Sequence, residues 1–190
     1  MNTYLIVGLG NPGRRYEHNF HNIGFIALDF FCARFKLRLK KIECKSVTGE
    51  LFLDGNKIIA AKPQTFMNLS GDAVYELTRK YKVNPENTII VYDDIDLDRA
   101  VLRLRTGGGT GTHNGMRSIA ACMDIEVLPR LRIGAGRPPE QIPLADYVLM
   151  DIPKSAHEQY IAAFNSAADI LEKFVRGETL DNLMAEFNKK

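Results

Sequence analysis

Residues 3–9 carry a continuous apolar run, Leu5-Ile6-Val7 with Leu9, that breaks at once into Gly10-Asn11-Pro12-Gly13. A short apolar run bounded by turn residues reads as a buried strand. Beyond the turn, apolar side chains fall at positions 23, 26, 27, 30 and 31, which is helical spacing. The rest of the chain repeats this alternation. Residues 46–53 and 57–62 are strand-like and flank Asp54-Gly55-Asn56, a hairpin signal. A helix is expected from Asn68 or Ser70 to about Lys82, with Ala73, Val74, Leu77 and Tyr81 on one face and Asn84-Pro85 ending it. Strands are expected at 88–92, stopping at Asp93-Asp94, at 101–105 and at 130–134. A glycine loop at 107–115 leads into a short helix through 119–123, and helical patterns return at 154–175 and 180–187. Strands alternating with helices predict an α/β fold, a single-domain sandwich over residues 1–190 with a mostly parallel, twisted mixed sheet flanked by helices. A chain of 190 residues can bury one substantial core and is short for two.

Composition narrows the class. Hydrophobic residues make up 45% and charged residues 25%, the balance of a soluble globular protein rather than a disordered one. Cys32, Cys44 and Cys122 are odd in number and lack metal-type spacing, so free thiols in a reducing cytoplasm are expected. The N-terminus lacks the pattern of a signal peptide. The best candidate for a membrane span, 23–35, is short and carries Asp29 and Arg34. The net charge of +2 conceals an asymmetry: residues 99–137 hold seven arginines against two acids, whereas 138–190 hold five bases against nine acids. A local arginine cluster is the footprint of a phosphate-rich partner, or simply a solvated face.

Gly8-Leu9-Gly10-Asn11-Pro12-Gly13 matches the letters of the dinucleotide fingerprint, but the spacing fails. The helix starts late, Asp29 sits inside it, and the next strand ends only near Asp54. The motif is a tight turn that presents the Asn11 amide. His21, just before an apolar helix, is a structural histidine or a general base, since an ordinary imidazole titrates near neutral pH. In Phe66-Met67-Asn68-Leu69-Ser70-Gly71 the methionine looks exposed, and Asn68 or Ser70 suits an N-cap. Asp93 and Asp94 are a metal pair or include the orienter of a histidine. Five glycines within 107–115 let backbone approach a ligand, with His113 and Asn114 at the loop's end, and no P-loop lysine follows.

Taken together, GLGNPG at 8–13, Tyr16 followed by His21-Asn22-Ile23-Gly24, FMNLSG at 66–71, DDIDL at 93–97, GGG and HNG at 107–109 and 113–115, RLRIGAGRP at 130–138 and DYVL at 146–149 resemble the bacterial peptidyl-tRNA hydrolase family. The motifs span nearly the whole chain in the family's order. The sequence departs from the family pattern at Phe20, Asp98, Ala100 and Thr112, and at Met150-Asp151. The resemblance implies cleavage of the ester between peptide and tRNA, with no metal and no cofactor. His21 would be the base and Asp93 its partner. Asn11, Asn68 and Asn114 would hold the peptide and the scissile region, with Tyr16, Met67 and His113 lining the substrate site. Arg105 and Arg132 would clamp tRNA phosphate. The implied partner is the acceptor stem and 3′ end of peptidyl-tRNA, bound by a monomer without an obligate protein partner or a membrane.

The chemistry of the residues is compatible with that. Ester hydrolysis needs an activated water and donors for the developing oxyanion. His21 can take the proton, an aspartate at its other nitrogen fixes the tautomer, and asparagine amides donate without charge. Two rivals stand beside it: a non-catalytic RNA-binding relative, which keeps the arginines without turnover, and a nucleotide-binding oxidoreductase, which the spacing disfavours.

Overall fold

The computed structural model describes residues 2–188. Thr3–Gly8 forms β1, buried at every position after the first. It pairs in parallel with β4 (Asn56–Pro63) on one side and β5 (Thr88–Asp94) on the other. A strand flanked on both edges and covered on both faces must be apolar throughout, which is why this segment shows no alternation. Its side chains divide between two cores: Tyr4 and Ile6 enter one, Leu5 and Val7 the other.

The seven strands follow the order β2 (Lys41–Glu43), β3 (Ser46–Leu53), β4, β1, β5, β7 (Arg130–Gly134), β6 (Leu102–Arg105). The central β4, β1, β5 and β7 are parallel, while β2–β3, β3–β4 and β6–β7 are antiparallel. Only β3 and β6 therefore run against the rest of the mixed sheet. The first core packs under α1 (Ile23–Arg34), α5 (His157–Val175) and α6 (Leu180–Phe187), with Phe31, Phe164, Leu171 and Leu183. The second packs under α2 (Ser70–Tyr81) and α3 (Asn114–Cys122), with Val74, Leu77, Met116 and Ile119. The turn between β3 and β4 holds Asp54 at φ 48° and Gly55 at φ 78°. Positive φ at both central residues is what a two-residue hairpin of type I′ requires.

Three expectations change. The ladder of β5 runs on to Asp94, which pairs with Gly134, so Asp93 is a strand residue rather than the first residue after a strand. Neither Asn68 nor Ser70 caps α2. A one-turn 3-10 helix, Met67–Leu69, leads into it, Leu69 holds the N-cap position with no side-chain bond, and the Ser70 hydroxyl donates to the Met67 carbonyl at 2.9 Å. Met67 is buried, at 4% exposure. Besides short 3-10 turns, two elements were not expected: the edge strand β2 and the one-turn α4 (Leu144–Tyr147). Among the described residues no helix is long and apolar enough to cross a membrane.

Candidate active site

The carboxyl end of β5 opens onto a cavity, the place where sites lie in open α/β sheets generally. The last two residues of β5, Asp93 and Asp94, both line this cavity of about 710 Å³. Its walls include His21, the glycine loop from Gly107 to Thr112, Asn114, Arg105 of β6, Arg130 and Arg132 of β7, and Leu144, Ala145 and Val148 around α4.

Asp93 is 2% exposed and meets two imidazoles. His21 Nδ1 lies 2.9 Å from its Oδ1 and 3.1 Å from Oδ2, and His113 Nε2 lies 3.0 Å from Oδ1. Burial alone would raise its pKa, but the two histidines outweigh burial and hold the carboxyl well below the usual carboxylate range. An ionised Asp93 accepts hydrogen bonds only, so His21 presents its Nδ1–H to it, and the lone pair of the neutral ring is on Nε2. Backbone fixes the second tautomer. His113 is the N-cap of α3 and its Nδ1 accepts from the Met116 amide at 3.2 Å, so its proton is on Nε2, where it donates to Asp93.

His21 sits in a one-turn 3-10 helix, Phe20–Asn22, and its backbone amide donates to the Val148 carbonyl at 2.8 Å. Phe20 points away from the cavity, stacked on Tyr147 at 4.9 Å, so its departure from the family pattern is a packing matter. The neighbouring Asn22 grips the Asn11 backbone from both sides: its Oδ1 accepts from the Asn11 amide at 2.8 Å and its Nδ2 donates to the Asn11 carbonyl at 3.0 Å. The Asn11 side chain accepts from the Met67 amide through Oδ1 at 2.8 Å, which leaves its Nδ2 as the available donor.

Not every expected residue reaches the cavity. His21, Asp93, His113, Asn114, Arg105 and Arg132 line it, whereas Asn11, Tyr16, Met67 and Asn68 do not. Met67 adjoins it: a Cβ on Gly115 would lie 2.6 Å from the Met67 sulfur and 3.0 Å from His113 Cε1, so this glycine lets the three segments close. Tyr16 packs edge-on against exposed Phe66, ring centroids 6.5 Å apart. Asn68 is exposed. Arg105 is exposed and forms no ion pair among the described residues, whereas the Arg132 Nε is taken by Asp94 Oδ2. Sequence reasoning missed Asn22, Asp94 as the partner of Arg132, and the buried Arg130. Asn22 lay inside a quoted motif, and Arg130 is two residues from Arg132 and therefore on its face of β7.

The His21, Asp93 and His113 donor atoms lie within 4.8 Å of one another, close enough to test as a cation site. The tautomers argue against it. A metal on His113 Nε2 would require that nitrogen's lone pair, and Nδ1 would then carry a proton that clashes with the Met116 amide. A histidine–aspartate pair beside a cavity lined by Arg105, Arg130 and Arg132 is the kind of arrangement that an acid–base class of enzyme uses.

Comparison with known proteins sharpens that class. The family model described as peptidyl-tRNA hydrolase matches residues 5–190. A peptidyl-tRNA hydrolase of Alkaliphilus oremlandii (strain OhILAs) is 43% identical over 173 residues, covering 91% of this chain and 93% of the relative. One from Roseiflexus castenholzii (strain DSM 13941 / HLO8) is 47% identical over 174 residues, covering 91% and 81%. The crystal structure of peptidyl-tRNA hydrolase from Acinetobacter baumannii superposes with a TM-score of 0.92 at 32% identity, covering 98% and 95%. The chain belongs to the peptidyl-tRNA hydrolase family.

Proposed function

We propose that this chain cleaves the ester of peptidyl-tRNA by direct attack of water, as a single catalytic unit over residues 1–190. His21 Nε2 takes the proton of the water while Asp93 holds the ring and offsets the imidazolium charge. Asn114 lines the cavity and Asn11, its oxygen tied to the Met67 amide, keeps Nδ2 free; an amide donor of this kind to the developing oxyanion is typically worth about 3 kcal/mol of barrier. Asn68 and Asn114 hold the substrate backbone, Tyr16, Met67 and His113 shape the site, and Arg105 and Arg132 take phosphate of the acceptor stem. The observation that carries the reading is the His21–Asp93 hydrogen bond with Nε2 left open.

A metal-assisted hydrolysis is the second reading, favoured by the proximity of three ligand-type side chains and opposed by the N-cap role of His113. Release of free tRNA from an N-acylated aminoacyl-tRNA, followed with and without a chelator, separates them. Undiminished turnover in chelator supports water activation by His21. Loss of turnover restored by a divalent ion, with tRNA folding intact, supports the metal. Three free thiols, at Cys32, Cys44 and Cys122, favour a reducing cytoplasm, and the chain is proposed to act there as a monomer without an obligate protein partner.

A further inference from the structure

Arg130 is the one arginine of the cluster that is buried, at 2% exposure, although it forms part of the cavity wall. Its side chain is spent on backbone. One Nη donates to the Gly109 carbonyl, and the other to the Gly108 carbonyl and, at 2.8 Å, to the Ile125 carbonyl. No carboxylate among the described residues pairs with it, and its Nε is buried without a partner. The β6–β7 register also places it directly opposite Arg105. A buried cation facing a like charge and held by neutral groups, with no carboxylate to offset it, is costly, so a packing role alone is a poor account of it.

The three carbonyls explain what it does. Gly108 and Gly109 lie before α3, in the glycine loop; Ile125 lies after α3, in the connection to β7. One guanidinium thus ties together the two flanks of the helix whose N-terminus carries His113 and Asn114. The approach is close: a Cβ on Gly107 would lie 1.6 Å from the Glu126 carbonyl oxygen, so the loop can dock on that connection only with glycine there. At its far end the same loop is fastened by the His113–Asp93 bond. Gly111, at φ 56° with nothing near its Cβ position, lies between the two fastenings and gives that segment conformational freedom.

We propose that Arg130 is a positioning residue for the reaction, a tether that fixes the glycine loop and through it sets His113 and Asn114 against Asp93 and the substrate. The inference rests on the reading of that site as catalytic. Its fork geometry is what the role needs, since a lysine offers a point charge and cannot span carbonyls from two segments.

The test compares Arg130→Met and Arg130→Lys with the parent protein. Hydrolysis of N-acylated aminoacyl-tRNA gives kcat and KM, and amide hydrogen exchange is followed over residues 106–117 and over β1 and β5. In Arg130→Met, kcat is expected to fall about 10- to 100-fold, the scale of a misplacement of about 1 Å. KM should change less than about threefold, because the exposed Arg105 is untouched. Exchange should accelerate over 106–117 and not in β1 or β5, and Arg130→Lys should lie between. Unchanged exchange in the loop overturns the tether, and faster exchange with unchanged kcat overturns the positioning role. A uniform rise in exchange across the sheet also overturns it, as that is the mark of a merely structural arginine. Should Arg130→Met fail to fold, the same readouts on Arg130→Lys decide. Failure of the base assignment would appear instead as turnover surviving in His21→Ala, which these measurements do not touch.

Discussion

At the scale of single residues, Asp93 is the hub. It lies 72 positions from His21 and 20 from His113, and accepts from both. If His21 is the base, His21→Ala should lower kcat about 10²- to 10⁴-fold, the usual contribution of positioned proton transfer. Asp93→Asn should also be severe, because an amide can stabilise the wrong tautomer and cannot offset imidazolium. The losses should not add: with His21 gone, removing Asp93 should cost little more. The measurement is a double-mutant cycle on kcat with Tm recorded for each variant. Additive losses, or unfolded single variants, would mean two structural residues rather than a catalytic pair. The sequence offered the two residue types and their motifs. It could not offer the contact, nor the second imidazole on the same carboxylate oxygen, since both arise only when three strand and helix ends meet.

At the scale of elements, strong local patterns were legible and weak ones were not. The extents of β3 and of α6 follow from residue pattern alone. The edge strand β2 escaped because three residues, Lys41-Ile42-Glu43, carry no periodicity. What holds it is a side chain. Glu43 accepts from Thr48 of β3 at 2.7 Å, from Lys41 at 2.9 Å, and from Lys80 and Tyr81 at the end of α2. Burial pushes its pKa up, but these donors prevail and bring it down to about 2 from 4.5. A depressed carboxylate stabilises the fold fully above its unfolded value and loses that contribution as pH falls through the folded one. Glu43→Gln should therefore lower Tm by about 2–4 °C near pH 7, equivalent to about 1 kcal/mol after solvent screening of the lysines. The gap between variant and parent should narrow between pH 4.5 and about 2. Equal gaps at pH 7 and pH 2.5 in thermal melts would refute the assignment.

The contact between α2 and α3 ties a motif glycine to the site. A Cβ on Gly71 would lie 2.1 Å from the Ser118 carbonyl oxygen, and the Gly71 amide donates to the Ser118 hydroxyl at 2.9 Å. Gly71→Ala must push the helices apart, at a cost of about 1–3 kcal/mol. Because α3 begins at Asn114, next to His113, kcat should fall as well. Thermal melts and steady-state kinetics on this variant check both, and an alanine tolerated with full Tm and full kcat would show that the helices yield without consequence.

At the scale of the whole molecule, the charge asymmetry of the sequence becomes a surface with a definite arrangement. Arg103 faces Arg132 and Arg105 faces Arg130 across the β6–β7 ladder, four like charges on one face of the sheet edge. Like charges directly opposite are unfavourable, and each is handled differently. Arg130 is buried on carbonyls, Arg132 is paired with Asp94, Arg103 leans on the Asn188 carbonyl at 3.4 Å, and Arg105 is left exposed. The sequence showed a cluster of bases but not this division, because burial and pairing are decided by neighbours from other strands. If Arg105 and Arg132 clamp phosphate, the division sets their signatures apart. Arg105→Ala should raise KM for tRNA substrates and flatten the dependence of log K on log salt by about 0.9 for a single duplex phosphate contact. Arg132→Ala should raise KM further, since it also leaves the Asp94 carboxylate unpaired in the cavity, where it repels phosphate. Removing Asp94 as well, in Arg132→Ala with Asp94→Ala, should then recover part of the lost affinity, an interaction between neighbours that a double-mutant cycle isolates. Salt titrations of product tRNA binding across the four variants provide the measurement. A change in kcat alone, or an Asp94→Ala that worsens binding in the Arg132→Ala background, would remove these arginines from the phosphate clamp.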